Sequence, residues 1–327
     1  MKRALLSLAA ALGLATTAAL PGPSLAQDAY PARPVTMLVP AAAGGPSDTV
    51  ARLVAEAMSA DLGQRVVIEN AGGAGGSLGA GRVAKAAPDG YTLLFTTLAH
   101  SANPSIYAKL PYDGAKDFQP VAMVSINDFL LVTNPDIEAR DLDGLIALLK
   151  QRPGRLDYSS AGVGSAMHLA GELFKNVAGV DAVHVPYRGE GPALNDLLGK
   201  RISFSFHGVS TTADHIKGGT VRAIAVTGPT RSPLLPEIPT MKEAGLPNYE
   251  AYTWSVVLAP AGTPREIVTR LNTAINAVVR QPRMQQRFTE LGFQVVMDST
   301  PESTAEHIRR EEEKWAPIIK ASGIRPN

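Results

Sequence analysis

The sequence predicts an α/β fold built as two lobes, and two observations support this prediction. After residue 30, short apolar runs alternate with stretches of helical periodicity, which is typical of α/β units with parallel strands. Two longer extended runs, residues 120–132 and 249–259, are expected to be crossings between lobes, the first interrupted at Asn127 and Asp128. We therefore predict that residues 27–125 and 250–327 form lobe I and that residues 126–249 form lobe II.

The individual elements follow from the same patterns. The predicted strands are residues 35–39, 66–69, 91–96, 156–159, 183–185, 203–206, 223–226 and 253–258. The clearest predicted helices are residues 48–62, 142–150, 166–177 and 264–280, and a last helix begins at Pro301. Pro264 is tolerated in a first helical turn, where its missing N–H would have no partner, and Thr263 is predicted to cap that helix.

Residues 1–26 have the pattern of a cleavable signal peptide. Lys2 and Arg3 precede an apolar run that ends at Pro21, and small residues follow at the expected cleavage site after Ala26. A membrane anchor is the alternative, but the run is rich in alanine and broken by serine, threonine and glycine. We therefore expect a periplasmic protein.

Composition excludes several classes of function. Cysteine is absent, which excludes disulfides, thiolate metal sites, a cysteine nucleophile and a lipid-bearing cysteine after the signal. Removing the signal with Lys2 and Arg3 changes the formal net charge from +1 to −1. We therefore expect no nucleic-acid partner, because such proteins need a clustered basic face.

Two glycine-rich turns, residues 40–48 and 160–165, each join a predicted strand to a predicted helix. The first amides of a helix have no partner within it, and the peptide dipoles add about half a positive charge there. If the two turns face each other, they can hold one carboxylate ligand. An ordinary tight turn explains residues 40–48 equally well. Asp48 would repel an anion, so the amides and the Ser47 hydroxyl are the stronger candidates.

Three further segments follow predicted strands, where parallel sheets bind their ligands: residues 96–101, 186–191 and 206–208. Ordinary loop polarity is an equal alternative for them. The candidate ligand-binding residues from all these segments are Ala43, Gly44, Gly45, Pro46, Ser47, Asp48, Thr97, His100, Ser160, Ala161, Gly164, Ser165, Ala166, Tyr187, Gly189 and His207. Four aromatic residues would either flank an aromatic acid or belong to the core: Phe95, Tyr187, Phe206 and Trp254.

Motifs of nucleotide binding and catalysis are incomplete in the sequence. Met167 stands where a dinucleotide fingerprint beginning at Gly162 needs its third glycine, and Arg201 stands where a Walker loop needs serine or threonine after Gly199 and Lys200. The chain contains no G-x-S-x-G elbow and no H-E-x-x-H, and its histidines are dispersed. We therefore predict no catalytic residues, no metal site and no cofactor.

The chain resembles the substrate-binding proteins of tripartite tricarboxylate transporters, the Bug or TctC-like family, over essentially the whole mature sequence. The matching runs are residues 40–48, 70–76, 88–94, 103–107, 165–174, 185–189, 223–227 and 258–264. The chain departs from similar members after Phe206, where they commonly carry Phe-Asp and this chain has His207 and Gly208. We expect His207 to tolerate a more acidic ligand.

The resemblance implies a Venus-flytrap periplasmic binding protein with its ligand cleft between two lobes. It also implies that the loops at residues 43–48 and 160–165 hold a small carboxylate, and that the protein delivers it to membrane permease subunits. The alternative partner is a receptor kinase that senses the liganded form; an enzyme ranks third. A monomer is the default for a diffusing carrier.

Overall fold

The computed structural model describes residues 30–325, so the signal-peptide prediction for residues 1–26 lies outside the described residues. The strands are β1 (Val35–Val39), β2 (Val66–Asn70), β3 (Thr92–Thr97), β4 (Phe118–Thr133), β5 (Asp157–Ser160), β6 (Val183–Pro186), β7 (Phe204–Gly208), β8 (Arg222–Val226), β9 (Tyr252–Pro260) and β10 (Gln294–Val295). The helices are α1 (Pro46–Leu62), α2 (Ser77–Ala84), α3 (Ala99–Ile106), α4 (Leu142–Gln151), α5 (Ala166–Ala178), α6 (Glu190–Leu198), α7 (Val209–Lys217), α8 (Arg265–Val279), α9 (Pro282–Glu290) and α10 (Pro301–Ser322), with a short 3₁₀ turn at Ala74–Gly76. The predicted strands and helices are all present, with ends that differ by one or two residues.

The strands form one long curled sheet with the order β2-β1-β3-β9-β4-β7-β5-β6, and β8 and β10 also pair with β4. The pairs β1–β2, β1–β3, β5–β6 and β5–β7 are parallel, as predicted. Every described pair that includes β4 or β9 is antiparallel, so the sheet is mixed. These two long strands run against their neighbours and join the two parallel groups.

Strand β4 passes from one part of the sheet to the other without a break. Residues 118–128 pair with β9, and residues 129–133 pair with β7 and β8. Asn127 and Asp128, the polar residues within this apolar run, continue the strand and keep their register with Thr253 and Tyr252. The sheet partners change immediately after Asp128. The lobe boundaries themselves stay a prediction.

Helices cover the sheet with apolar faces. Val50, Val54 and Met58 of α1 are fully buried in the same cluster as Leu271 and Ile275 of α8. Helix α10 packs elsewhere, against α3, α5 and β4. Its Glu311 accepts hydrogen bonds from the indole N–H groups of Trp254 and Trp315, each at 3.0 Å. The bond from Trp254 of β9 therefore joins the sheet to α10, whereas Trp315 and Glu311 lie four residues apart on α10 itself.

Two helix starts differ from the prediction. Helix α1 begins at Pro46 instead of Asp48, because proline is pre-organised for the first helical position. Helix α8 is preceded by Pro264 and has no side-chain cap. The predicted cap Thr263 instead donates its hydroxyl to the Pro260 carbonyl at 2.7 Å, so that prediction is wrong. Within residues 30–325, the structure contains no helix that is both long and apolar enough to cross a bilayer.

Candidate functional site

A cavity of about 210 Å³ lies between the two parts of the sheet, at the crossing strand β4. One wall comes from the start of α1 and from the turn after α9, the other from the starts of α6 and α7, and Asn127 of β4 lies between them. Its lining residues are Gly44, Pro46, Thr49, Asn127, Glu190, Gly208, Ser210, Thr211, Leu291 and Phe293. The cavity thus combines two helix N-termini with a small apolar surface, which is the composition expected of a site for a small acid.

The two walls approach each other closely beside the cavity. A Cβ added at Gly292, in the turn after α9, would lie 2.8 Å from the Cβ of Ser210 on α7.

 

Gly292 has φ +77°. That angle lies in the left-handed region that favours glycine. A side chain at Gly292 would therefore be strained and would also collide with Ser210, so this turn and α7 meet only because the residue is glycine.

The first glycine turn is held in shape by a buried carboxylate. Asp48, which is 2 % exposed, accepts hydrogen bonds from the Gly44 N–H at 2.8 Å, from Arg52 at 2.9 Å and from the Asn70 side chain at 2.9 Å. Burial opposes ionisation of Asp48, but the bonds from Arg52, Gly44 and Asn70 outweigh it and hold its pKa below the usual range. Asp48 therefore shapes the turn, and its oxygens face partners within the protein.

The start of α1 keeps amides free for a ligand. Thr49 is the first residue of the helix whose N–H bonds to a helical carbonyl, that of Gly45, at 3.0 Å. No side chain caps this helix, so the N–H groups of Ser47 and Asp48 have no partner among the described residues. Of the predicted residues in this turn, Gly44 and Pro46 line the cavity directly, and Ala43, Gly45 and Ser47 are their neighbours in the chain.

Glu190 forms the opposite wall together with the start of α7. Its Oε1 atom accepts from the Gly208 N–H at 2.9 Å and lies 2.7 Å from the Thr211 hydroxyl. Because Gly208 is the N-cap residue of α7, the carboxylate of Glu190 lies at the positive end of that helix. Residues 186–191 and 206–208, two of the three predicted segments, thus each contribute a residue to the cavity.

His207 is fully buried behind Glu190. Its Nδ1 lies 3.3 Å from Glu190 Oε1, and its Nε2 has no partner among the described residues. The predicted ligand contact of His207 does not agree with this position, because the ring does not line the cavity. In the structure, His207 contacts the cavity only through Glu190.

The second glycine turn is fixed by two histidines. Ser160 is buried, and its hydroxyl lies 2.7 Å from His184 Nε2 and accepts the Gly162 N–H at 3.1 Å. The Gly164 N–H donates to His168 Nδ1 at 3.0 Å, and the rings of His168 and His184 stack 3.7 Å apart. Burial lowers the pKa of His168 to about 3 and of His184 to about 4, so both rings are neutral at pH 7.

The second turn lies beside α3 and does not line the cavity described above. A Cβ added to Gly164 would lie 3.0 Å from Ile106 at the end of α3. Ser165 caps α5 by accepting the His168 N–H at 3.3 Å, while Ala161 and Ala166 are partly exposed. The structure therefore pairs the first turn with the start of α7, and the predicted pairing of residues 43–48 with residues 160–165 around one ligand stays a prediction.

The remaining predicted residues have mainly structural contacts. His100 is 4 % exposed, lies 3.2 Å from the Gly114 carbonyl and packs on Phe118, and burial lowers its pKa to about 4. We therefore remove His100 from the candidate site. The Tyr187 hydroxyl donates to Asp196 at 2.6 Å, Gly189 is the N-cap residue of α6, and Thr97 ends β3. Of the four aromatic candidates, Phe95, Phe206 and Trp254 are core residues and Tyr187 is partly buried.

Sequence reasoning included Glu190 in a candidate segment without selecting it as a ligand-binding residue, and it missed the apolar wall of Leu291 and Phe293. Glu190 directly follows the predicted Gly189, so its place after a strand was a usable signal. Leu291 and Phe293 lie far along the chain in the turn after α9, and only the fold brings them to this cavity. A larger groove of about 480 Å³ lies between α1 and α9, but it is lined by side chains of these helices and of the residue before α9, without a strand end or a glycine turn. Among residues 30–325, no cluster of three or more histidine, aspartate or glutamate side chains is arranged to hold a metal ion.

Comparison with known proteins identifies the family. Residues 50–324 match the model of the tripartite tricarboxylate transporter family receptor, TctC. The chain is 38% identical to the protein BugT of Bordetella pertussis over 314 residues, which cover 94% of this chain and 95% of the relative. These matches confirm the resemblance on which the sequence analysis relied.

Two solved structures with bound acids have the same fold. Rpa4515 of R. palustris, solved with adipate, is 36% identical, with a TM-score of 0.81 over 91% of this chain and 100% of its own. MatC from Rhodopseudomonas palustris, solved with malate, is also 36% identical, with a TM-score of 0.77 over 89% of this chain and 100% of its own. The two-lobed α/β binding-protein fold is thereby confirmed. This chain belongs to the tripartite tricarboxylate transporter receptor family, also called TctC.

Proposed function

We propose that this protein captures a small carboxylate in the periplasm and delivers it to the permease subunits of a tripartite tricarboxylate transporter. The observation that carries the proposal is the start of α1, where Gly44, Pro46 and Thr49 line the cavity and the adjacent amides of Ser47 and Asp48 have no partner among the described residues. A carboxylate there would gain charge-assisted hydrogen bonds and the favourable field of the α1 dipole.

The expected affinity follows from few contacts. Each hydrogen bond to a charged group contributes about 1.5–3 kcal/mol, and micromolar binding needs about 8 kcal/mol. A binding free energy of this size would come from two amides, the Ser47 hydroxyl and the apolar contact with Leu291 and Phe293. The relatives solved with adipate and malate support the choice of a small acid as the ligand.

The other parts of the proposal rest on the sequence and the family. The signal-peptide pattern of residues 1–26 and the absence of cysteine support a freely diffusing periplasmic protein. Lobe I would comprise residues 27–125 and 250–327, and lobe II residues 126–249, so that closure of the lobes encloses the ligand. Contact of the ligand with both walls favours the closed form. The protein would act as a monomer and release its ligand unchanged.

A thermal-unfolding screen of residues 27–327 tests this function. The panel contains aliphatic mono-, di- and tricarboxylates, hydroxy acids, amino acids and aromatic acids, with sugars as the control class. A ligand at 100 times its dissociation constant adds about 2.7 kcal/mol, which raises the midpoint by several degrees. A selective rise with one class of acid, and recovery of that acid unchanged, supports capture; no rise with any acid contradicts it.

A further inference from the structure

The cavity has two electrostatically different ends. At one end, Gly44, Pro46 and Thr49 form the wall at the positive terminus of α1, beside the unpartnered amides of Ser47 and Asp48. At the other end, the side chain of Glu190 is 24% exposed and forms part of the wall. A ligand that spans the cavity therefore meets donors at one end and a carboxylate at the other.

The two oxygens of Glu190 have different surroundings. Oε1 is engaged by the Gly208 N–H, by the Thr211 hydroxyl and by His207 Nδ1, at 2.9, 2.7 and 3.3 Å. Oε2 has no hydrogen-bond partner among residues 30–325. A carboxylate oxygen of this kind can accept a hydrogen bond from a ligand without breaking any bond of the protein.

Glu190 also keeps its charge. Burial opposes ionisation, but the hydrogen bond and charge of His207, with the bonds from Thr211 and Gly208, outweigh it and hold the pKa of Glu190 below its usual range. Because Glu190 already accepts the Gly208 N–H, a ligand carboxylate does not gain that amide at the start of α7. A second carboxylate at this end would instead face Oε2 of Glu190, an acceptor that offers it no hydrogen.

The size of the cavity limits the ligand. A volume of about 210 Å³ corresponds to the space of roughly seven water molecules in the liquid. Acids with four to six carbon atoms are therefore the relevant class.

We propose that Glu190 is the specificity-determining residue of this site, which takes an acid with one carboxylate at the α1 end and a hydrogen-bond donor, above all an ammonium group, at the Glu190 end. This inference rests on the proposed function, because it specifies which acid the cavity captures. A site with Glu190 at one end would differ from a site for dicarboxylates, which needs hydrogen-bond donors at both ends.

Calorimetric titration with matched ligand pairs tests the inference. The probes are ω-amino acids and α,ω-dicarboxylates of four, five and six carbons, which share a chain length and differ in the far end. For the native protein, the amino acid of at least one pair should bind tenfold or more tightly than its dicarboxylate partner. Glu190→Gln, which keeps an oxygen for the Gly208 N–H, should reduce that ratio at least tenfold.

A matched control removes one negative charge from the same region without touching the cavity. Asp214→Asn changes an exposed residue of α7 and should leave the ratio within about twofold of the native value. Unfolding midpoints of both variants without ligand show whether they are folded. If Glu190→Gln unfolds, Glu190→Asp, which keeps the charge, should retain a preference for the amino acid.

The outcomes separate the inference from the proposed function. Equal or tighter binding of dicarboxylates at every length, or an unchanged ratio in Glu190→Gln, overturns the role of Glu190 while the capture of acids stands. If no acid of any class in the wider screen binds, the proposed function fails, and the inference fails with it.

Discussion

The backbone N–H of Gly44 donates a hydrogen bond to Asp48 Oδ2 over 2.8 Å, within the turn that opens helix α1. This bond closes the turn. The amides of Ser47 and Asp48, at the start of the helix, have no partner among the described residues. Gly44 has φ +81°, a conformation that favours glycine, so the bond depends on both residues. The turn is therefore a pre-formed element of the candidate site.

Asp48→Ala is expected to lower the free energy of unfolding by about 1–3 kcal/mol, because it leaves the Gly44 N–H and the Asn70 amide without their acceptor. Urea unfolding measures this loss. Glu56→Gln, at an exposed position of the same helix, is the control and should change stability by less than about 0.5 kcal/mol. Equal effects of the two substitutions would mean that Asp48 does not hold the turn.

Asp128→Asn is expected to stabilise the protein at pH 8. Burial, with the nearby charge of Glu250, raises the pKa of Asp128 to about 7. Because the unfolded chain ionises near its ordinary value, the native state binds more protons between about pH 4 and 7, and stability falls as pH rises through that range. The gain at pH 8 should reach up to about 4 kcal/mol, at 1.36 kcal/mol for each pKa unit.

The same variant should have little effect at pH 3.5, where the carboxyl is protonated in both states. Denaturant unfolding across pH 3.5–8 measures the profile, with Asp136→Asn, at an exposed position, as the control. A gain that does not depend on pH would contradict the pKa argument.

His168 and His184 are expected to lower the free energy of unfolding at acidic pH. Burial holds their pKa values at about 3 and 4, below that of an unfolded histidine. As pH falls from about 6.5 towards 4, the unfolded chain takes up protons that the native state does not, so the free energy of unfolding decreases. His184→Gln should flatten this slope. His215→Gln, at a partly exposed position on α7, should leave it unchanged; equal slopes in the native protein and His184→Gln would refute the prediction.

Two glycines provide a matched test of packing. A Cβ added at Gly171 of α5 would lie 2.2 Å from the buried ring of Tyr158, whereas one added at Gly191 of α6 meets nothing within 4 Å. Gly171→Ala should therefore destabilise the protein by about 1–3 kcal/mol, and Gly191→Ala should stabilise it by about 0.5–1 kcal/mol. Thermal unfolding checks both, and the same sign for both would contradict the packing described here.

The sequence predicted where the strands and helices lie along the chain, but it did not predict how they pair in space. Periodicity located α1 to within two residues, and the proline at its start explains the difference. The meeting of the first glycine turn with α7 depends on the order of strands around β4, which no local pattern records. Asn127 and Asp128 resemble a loop in sequence, yet they continue β4 because their register with β9 is maintained.

One wall of the candidate site was predicted by residue, and the opposite wall only as the segments 186–191 and 206–208. The family resemblance and the helix-terminus argument both led to residues 43–48, and Gly44 and Pro46 line the cavity. His100 and His207 were plausible because they follow strands, but burial removes both from the cavity wall. Glu190 lay in a predicted segment but was not selected, because an acid is not expected in a site for acids; its bonds to Gly208 and Thr211 explain its position there.

The most direct test of the central claim is carboxylate binding to a variant with a blocked cavity. Ser210→Trp places an indole in the cavity wall, and Asp214→Trp places one at an exposed position of the same helix. With the best acid from the screen, calorimetry should give native affinity for Asp214→Trp and a loss of at least tenfold for folded Ser210→Trp. Native affinity in both variants would show that the ligand binds elsewhere and would contradict the account.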